Sequence, residues 1–94
     1  MDIKEFENLR DSKNKSVVIV SAAWCGPCAT LARQIHNLSN DLQSRIYKID
    51  ADENFELVEK LGVKSVPSVF YLGDGLVQCP KMGGDIASLS AFLA

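Results

Sequence analysis

The chain is 94 residues long, 47% hydrophobic and 23% charged, the size and balance of one domain (residues 1–94) that folds without staples. Ten basic against twelve acidic side chains give a net charge of −2 with no basic stripe, so a nucleic-acid partner has no electrostatic support. Met1-Asp2-Ile3-Lys4-Glu5-Phe6 is charged from its second residue, and the longest apolar run, near residues 17–25, falls short of the ~20 residues of a membrane helix; a soluble, cytoplasmic protein with no membrane partner is expected.

Asp2-Ile3-Lys4-Glu5 has the form of a capping box. It predicts a helix with Ile3, Phe6 and Leu9 on one face, ended by the polar run 10–16. Residues 17–22 are apolar on both faces, the pattern of a strand buried on two sides. Pro27 suits the first turn of a second helix, along which Cys28, Leu31, Ala32, Ile35 and Leu38 recur at helical spacing. Residues 45–50 read as a shorter, more polar strand. Residues 54–61 read as a helix with Phe55, Val58 and Leu61 inward, stopped at Gly62. Residues 68–72 and 76–79 are strands joined by the hairpin signal Asp74-Gly75, and Asp85 caps a last helix with Ile86, Leu89, Phe92 and Leu93 inward. The β-α-β segment makes its two strands parallel through a right-handed crossover, and the hairpin adds two antiparallel strands. The fold class is therefore α/β: a four-stranded mixed sheet flanked by four helices in three layers.

Between the first strand and the second helix stands Trp24-Cys25-Gly26-Pro27-Cys28. Two cysteines three apart form a compact dithiol that can open and close as a disulfide. Three cysteines in an unexported chain argue against a disulfide scaffold, and Cys79 is left over once Cys25 and Cys28 pair. A thiol of pKa about 8.5 is only slightly ionised at neutral pH, yet the thiolate is the nucleophile. Cys25 falls at the start of the helix that Pro27 begins, where free N–H groups and the macrodipole favour an anion by up to roughly 2 kcal/mol, or about 1.5 pKa units. Cys25 can then attack a target disulfide, and Cys28, one turn deeper and less exposed, can displace the reduced target. The uncharged Gly26-Pro27 pair favours a reductant over an oxidant. A zinc site completed by His36 and Cys79 is disfavoured, because neither has a ligand partner at the usual spacing. His36 reads as a surface residue, Cys79 as buried strand packing, and Trp24 as a substrate contact rather than a core aromatic.

Together with Lys48-Ile49-Asp50-Ala51-Asp52, Gly62-Val63-Lys64-Ser65-Val66-Pro67-Ser68, the Asp74-Gly75 hairpin and Gly83, the pentapeptide makes residues 17–94 resemble the thioredoxin family. The resemblance implies the thioredoxin fold and reduction of protein disulfides, with roles in electron transport and cell redox homeostasis. It implies a monomer without bound cofactor, acting on disulfide-containing target proteins and recycled by a thioredoxin reductase, a flavoprotein drawing on NADPH. It implies a cis-proline at Pro67 facing the dithiol, and a substrate surface of Trp24, Gly26, Pro27, Ser65, Val66, Pro67, Met82 and Gly83, with the Val66 backbone pairing with an extended target. Three departures stand out. Only Met1 and Asp2 precede the first helix where the family has an extra strand, so the 45–50 strand should be a sheet edge, guarded by Arg45, Lys48 and Asp50. Ile19 replaces a buried Asp that serves the family as base for the second cysteine; Asp50, or an ordered water, is proposed in its stead. Arg33 replaces a helix-kinking Pro, so a straighter helix is expected. A disulfide oxidase or isomerase, and a binding subunit with an incidental dithiol, are the rival readings.

Overall fold

Six consecutive buried residues form β1 (Ser16–Ser21), the strand around which the other elements are arranged. The computed structural model describes residues 1–79 and 85–94. Within them the order is α1 (Ile3–Asp11), β1, α2 (Gly26–His36), α3 (Asn40–Gln43), β2 (Ile46–Asp50), α4 (Phe55–Leu61), β3 (Ser68–Gly73), β4 (Leu76–Gln78) and α5 (Ile86–Leu93). The sheet runs β2-β1-β3-β4. β1 pairs parallel with β2 and antiparallel with β3, and β3 antiparallel with β4. The expected mixed sheet and edge position of β2 are both present. The described residues contain five helices rather than four: Ser39 caps α3 by accepting the Leu42 N–H, and Leu42 packs under it.

Because β1 and β3 alternate, each builds two apolar layers. Val18, Val20, Phe70 and Leu72 join Phe6 of α1, Ile49 of β2 and Leu57 of α4 on one face. Val17, Ile19, Val69 and Tyr71 join Leu31 of α2 and Leu89 and Leu93 of α5 on the other. Each fully buried Leu stabilises the fold by roughly 1.5–3 kcal/mol. Edge-to-face Phe6–Phe70 packing, with ring centroids 5.7 Å apart, and stacked Tyr71–Phe92, at 4.8 Å, anchor α1 and α5 to opposite faces of β3.

Caps and turns follow the sequence closely. Asp2 accepts the Glu5 N–H at 2.8 Å, Asp85 accepts that of Ser88 at 2.6 Å, and Gly62 ends α4 in the left-handed region. Asp74 and Gly75 both have positive φ, 52° and 80°, as a two-residue primed hairpin turn requires. The inward face of α4 differs from expectation. Leu57 is buried and Phe55 is 72% exposed, while Val58 and Leu61 pack at the layer's margin. A seven-residue helix shows two overlapping apolar stripes, and the start of α4 turns Phe55 outward.

Candidate active site

β1 delivers the chain to the dithiol through a tight turn in which the Cys25 N–H donates to the Ala22 carbonyl at 3.1 Å. Cys25 is then the N-cap of α2, with extended backbone, and its Sγ accepts the Cys28 N–H at 3.2 Å. A sulfur thus occupies the place where a capping oxygen normally satisfies an orphan helix N–H. Pro27 stands in the first turn, where its missing N–H leaves no bond unmade. Cys25 and Cys28 are joined as a disulfide, with Cα atoms 5.3 Å apart. Ala22 and Val66 pack around both, and Cys25 Sγ lies 3.7 Å from the Val66 carbonyl oxygen. Cys25 is 7% exposed and Cys28 5%, so the second sulfur is the less exposed, as expected, but by a narrow margin. In the bonded state each sulfur shields the other and Val66 covers the pair.

Around this centre the structure brings together most of the sequence candidates. Trp24 is 72% exposed, and its indole N–H donates to Asp52 at 3.2 Å. Gly26 and Pro27 are exposed, and a side chain at Gly26 would meet open space. Ser65 is exposed, its carbonyl accepting the Ser68 hydroxyl at 2.6 Å; Val66 and Pro67 are half-buried and joined by a cis peptide bond. Met82 and Gly83 lie outside the described residues. Asp52 is the group that sequence reading missed as a site residue; its signal was an acid just beyond a strand whose end faces the dithiol.

Asp50, at the end of β2, is half-buried and in register with Ser21. Its Oδ1 accepts the Asp52 N–H at 2.8 Å, and its carbonyl accepts the side chain and backbone N–H of Asn54 at 2.9 and 3.0 Å. This small loop holds Asp52 beneath Trp24. Ile19 is buried in the layer with Leu31, and its β2 neighbour Lys48 is exposed. Arg33 is exposed, on a helix continuous from Gly26 to His36, and His36 is exposed near its end.

Cys79 contradicts the expectation of a buried packing residue. It is a free, exposed thiol just past β4, the edge strand of the sheet, whose three residues are all exposed. Enough protein flanks the sulfur that partial burial raises its pKa above the ordinary thiol value, against an opposing hydrogen bond with the Val69 backbone.

A disulfide at a helix N-terminus, beside an open backbone carbonyl and an exposed indole, suits attack by or on an incoming sulfur. Comparison with known proteins agrees. The thioredoxin family model matches residues 2–94. Thioredoxin Asp f 29 of Aspergillus fumigatus is 31% identical, over 96% of this chain and 86% of its own length. A thioredoxin of Pseudomonas aeruginosa is 35% identical, over 77% of this chain and 69% of its own. The crystal structure of oxidized mitochondrial thioredoxin 3 from Saccharomyces cerevisiae superposes with a TM-score of 0.77 at 26% identity, covering 97% of this chain and 87% of that one.

Proposed function

The chain belongs to the thioredoxin family, whose members are protein-disulfide reductases, and from that premise we propose how its residues divide the thiol–disulfide exchange. Cys25 is the nucleophile and Cys28 the resolving thiol. The observation that carries this assignment is the 3.2 Å hydrogen bond from the Cys28 N–H to Cys25 Sγ at the head of α2. When the disulfide opens, that N–H and the helix dipole hold Cys25 as a thiolate. Cys25 attacks one sulfur of a target disulfide, releasing the other as a thiolate. Cys28 then attacks Cys25, the Cys25–Cys28 bond closes, and the target leaves with both sulfurs reduced.

The target lies in extended form against Val66, pairing with its backbone, while Trp24, Gly26, Pro27, Ser65, Pro67, Met82 and Gly83 border it. Backbone pairing accepts many targets because it reads no particular side chain. The protein acts in the cytoplasm, holds no cofactor, and carries electrons from an NADPH-dependent reductase to its targets. The uncharged Gly26-Pro27 pair supports a reductant, since no added cation favours the dithiol form.

The test is coupled turnover of a protein disulfide with the midpoint potential measured alongside. Turnover with a potential near about −270 mV, the thioredoxin range, supports the reading. A value near about −120 mV would make the chain an oxidant. Undiminished cellular function of Cys25→Ser would make it a binding subunit.

A further inference from the structure

We propose that the Ser21 hydroxyl relays the Cys28 proton to Asp50 in the second exchange, an assignment that rests on the reductase reading above. Ser21 is one of two buried polar residues among those described, at 4% exposure, and its hydroxyl is poorly used. It donates to the Ile49 carbonyl at 3.5 Å, far beyond the 2.7–2.8 Å usual for O–H···O. Val17 and Ile19 face the α2 layer, so Ser21, two residues on, continues that face. On α2, Leu31 packs into the same layer, and Cys28 is the next inward position toward the start of the helix, ~4.5 Å along its axis. Helix and strand run in opposite senses across the crossover. The position above Ile19 on the strand therefore lies level with the position above Leu31 on the helix, which sets Ser21 opposite Cys28, next in the chain to the Ala22 that packs against that sulfur.

Asp50 is the register partner of Ser21, and side chains paired across parallel strands share a face. Its Oδ1 is engaged by the Asp52 N–H, and Oδ2 has no hydrogen-bond partner among the described residues. Lys48 and Asp50 are the charged groups on this face of β2, and Lys48 is exposed. α2 contributes Cys28, Leu31 and Ile35 to the face, none of them a base.

In the step, the Cys28 proton passes to Ser21 Oγ while the Ser21 proton passes to Asp50 Oδ2. Cys28 Sγ bonds to Cys25 Sγ, the Cys25–target bond breaks, and its electron pair leaves on the target sulfur. Asp50 then returns its proton to water or to that sulfur, so the protein dithiol is oxidised by two electrons and the target disulfide reduced by two.

Rapid mixing of the reduced protein with an aromatic disulfide separates formation of the mixed disulfide from its decay. Ser21→Ala is expected to form it at a rate within about twofold of the native chain and resolve it about a hundredfold more slowly. Its resolution should climb about tenfold per pH unit as solvent replaces the relay, where the native rate changes little between about pH 7 and 8. Ser21→Thr, which keeps the hydroxyl, should restore native decay. Unchanged decay in Ser21→Ala, or equal slowing in Ser21→Thr, would overturn the relay while leaving the reductase intact. Failure of the native chain to form any mixed disulfide would instead overturn the reductase reading itself.

Discussion

Cys25 and Cys79 are both cysteines at the end of a strand, and accessibility alone would rank them wrongly. Cys79 is exposed and Cys25 is 7% exposed, yet only Cys25 caps a helix, accepts a backbone N–H and has a second sulfur within bonding reach. Cys79 follows an edge strand, and its surroundings hold the proton on rather than off. On the proposed assignment, reactivity in this chain follows from the dipoles aimed at a sulfur, not from the solvent around it.

The contrast is tested most severely by removing each sulfur. Cys25→Ser should lower disulfide-reducing turnover by at least about a thousandfold, since no other group supplies the nucleophile, whereas Cys79→Ser should stay within about twofold. Comparable losses from both, measured by coupled turnover, would erase the distinction. Next in size is alkylation of the reduced protein followed by mass spectrometry. At pH 7 Cys25 should react about tenfold faster than Cys79, because the helix N-terminus favours a thiolate at Cys25 while partial burial keeps Cys79 protonated. Raising the pH through the Cys79 pKa fills its thiolate and should shrink the ratio.

A smaller change comes from charge at Gly26, where a side chain meets open space. Gly26→Lys should lower the Cys25 titration by about half a pKa unit and Gly26→Asp raise it by as much, with the Cys79 titration unmoved. The smallest effect is expected from Asp52→Ala, which frees the Trp24 indole. Indole fluorescence should shift, and KM for a protein disulfide should rise about threefold with kcat nearly constant, as for a lost binding contact.

Much of this was legible in the sequence because it was written in local rules. Asp2 with Glu5, Asp85 with Ser88, and Asp74-Gly75 each specify a cap or turn within four residues, and residues 17–22 announce a doubly covered strand by being apolar on both faces. α3 is four residues long, too short for helical periodicity to register. Phe55 and Leu57 differ in burial because tertiary packing chose between two stripes that hydrophobicity alone cannot rank. Within the site, the cysteines and Pro67 follow from motif and spacing. The Trp24–Asp52 bond, the shielding of Cys25 by Val66 and the exposure of Cys79 arise between segments distant in the chain, where no local pattern reports them.

One pair of contacts bears on how the chain comes together in time. The Asp74 N–H donates to the Ser12 carbonyl at 2.9 Å and the Gly75 N–H to that of Arg10 at 2.8 Å, so the hairpin tip clasps the end of α1. During synthesis α1 emerges well before the hairpin, and this clasp cannot close until the turn has left the ribosome. The C-terminal end of α1 must therefore wait, undocked there, while the roughly sixty residues up to the hairpin are made, and this contact belongs to the late events of folding.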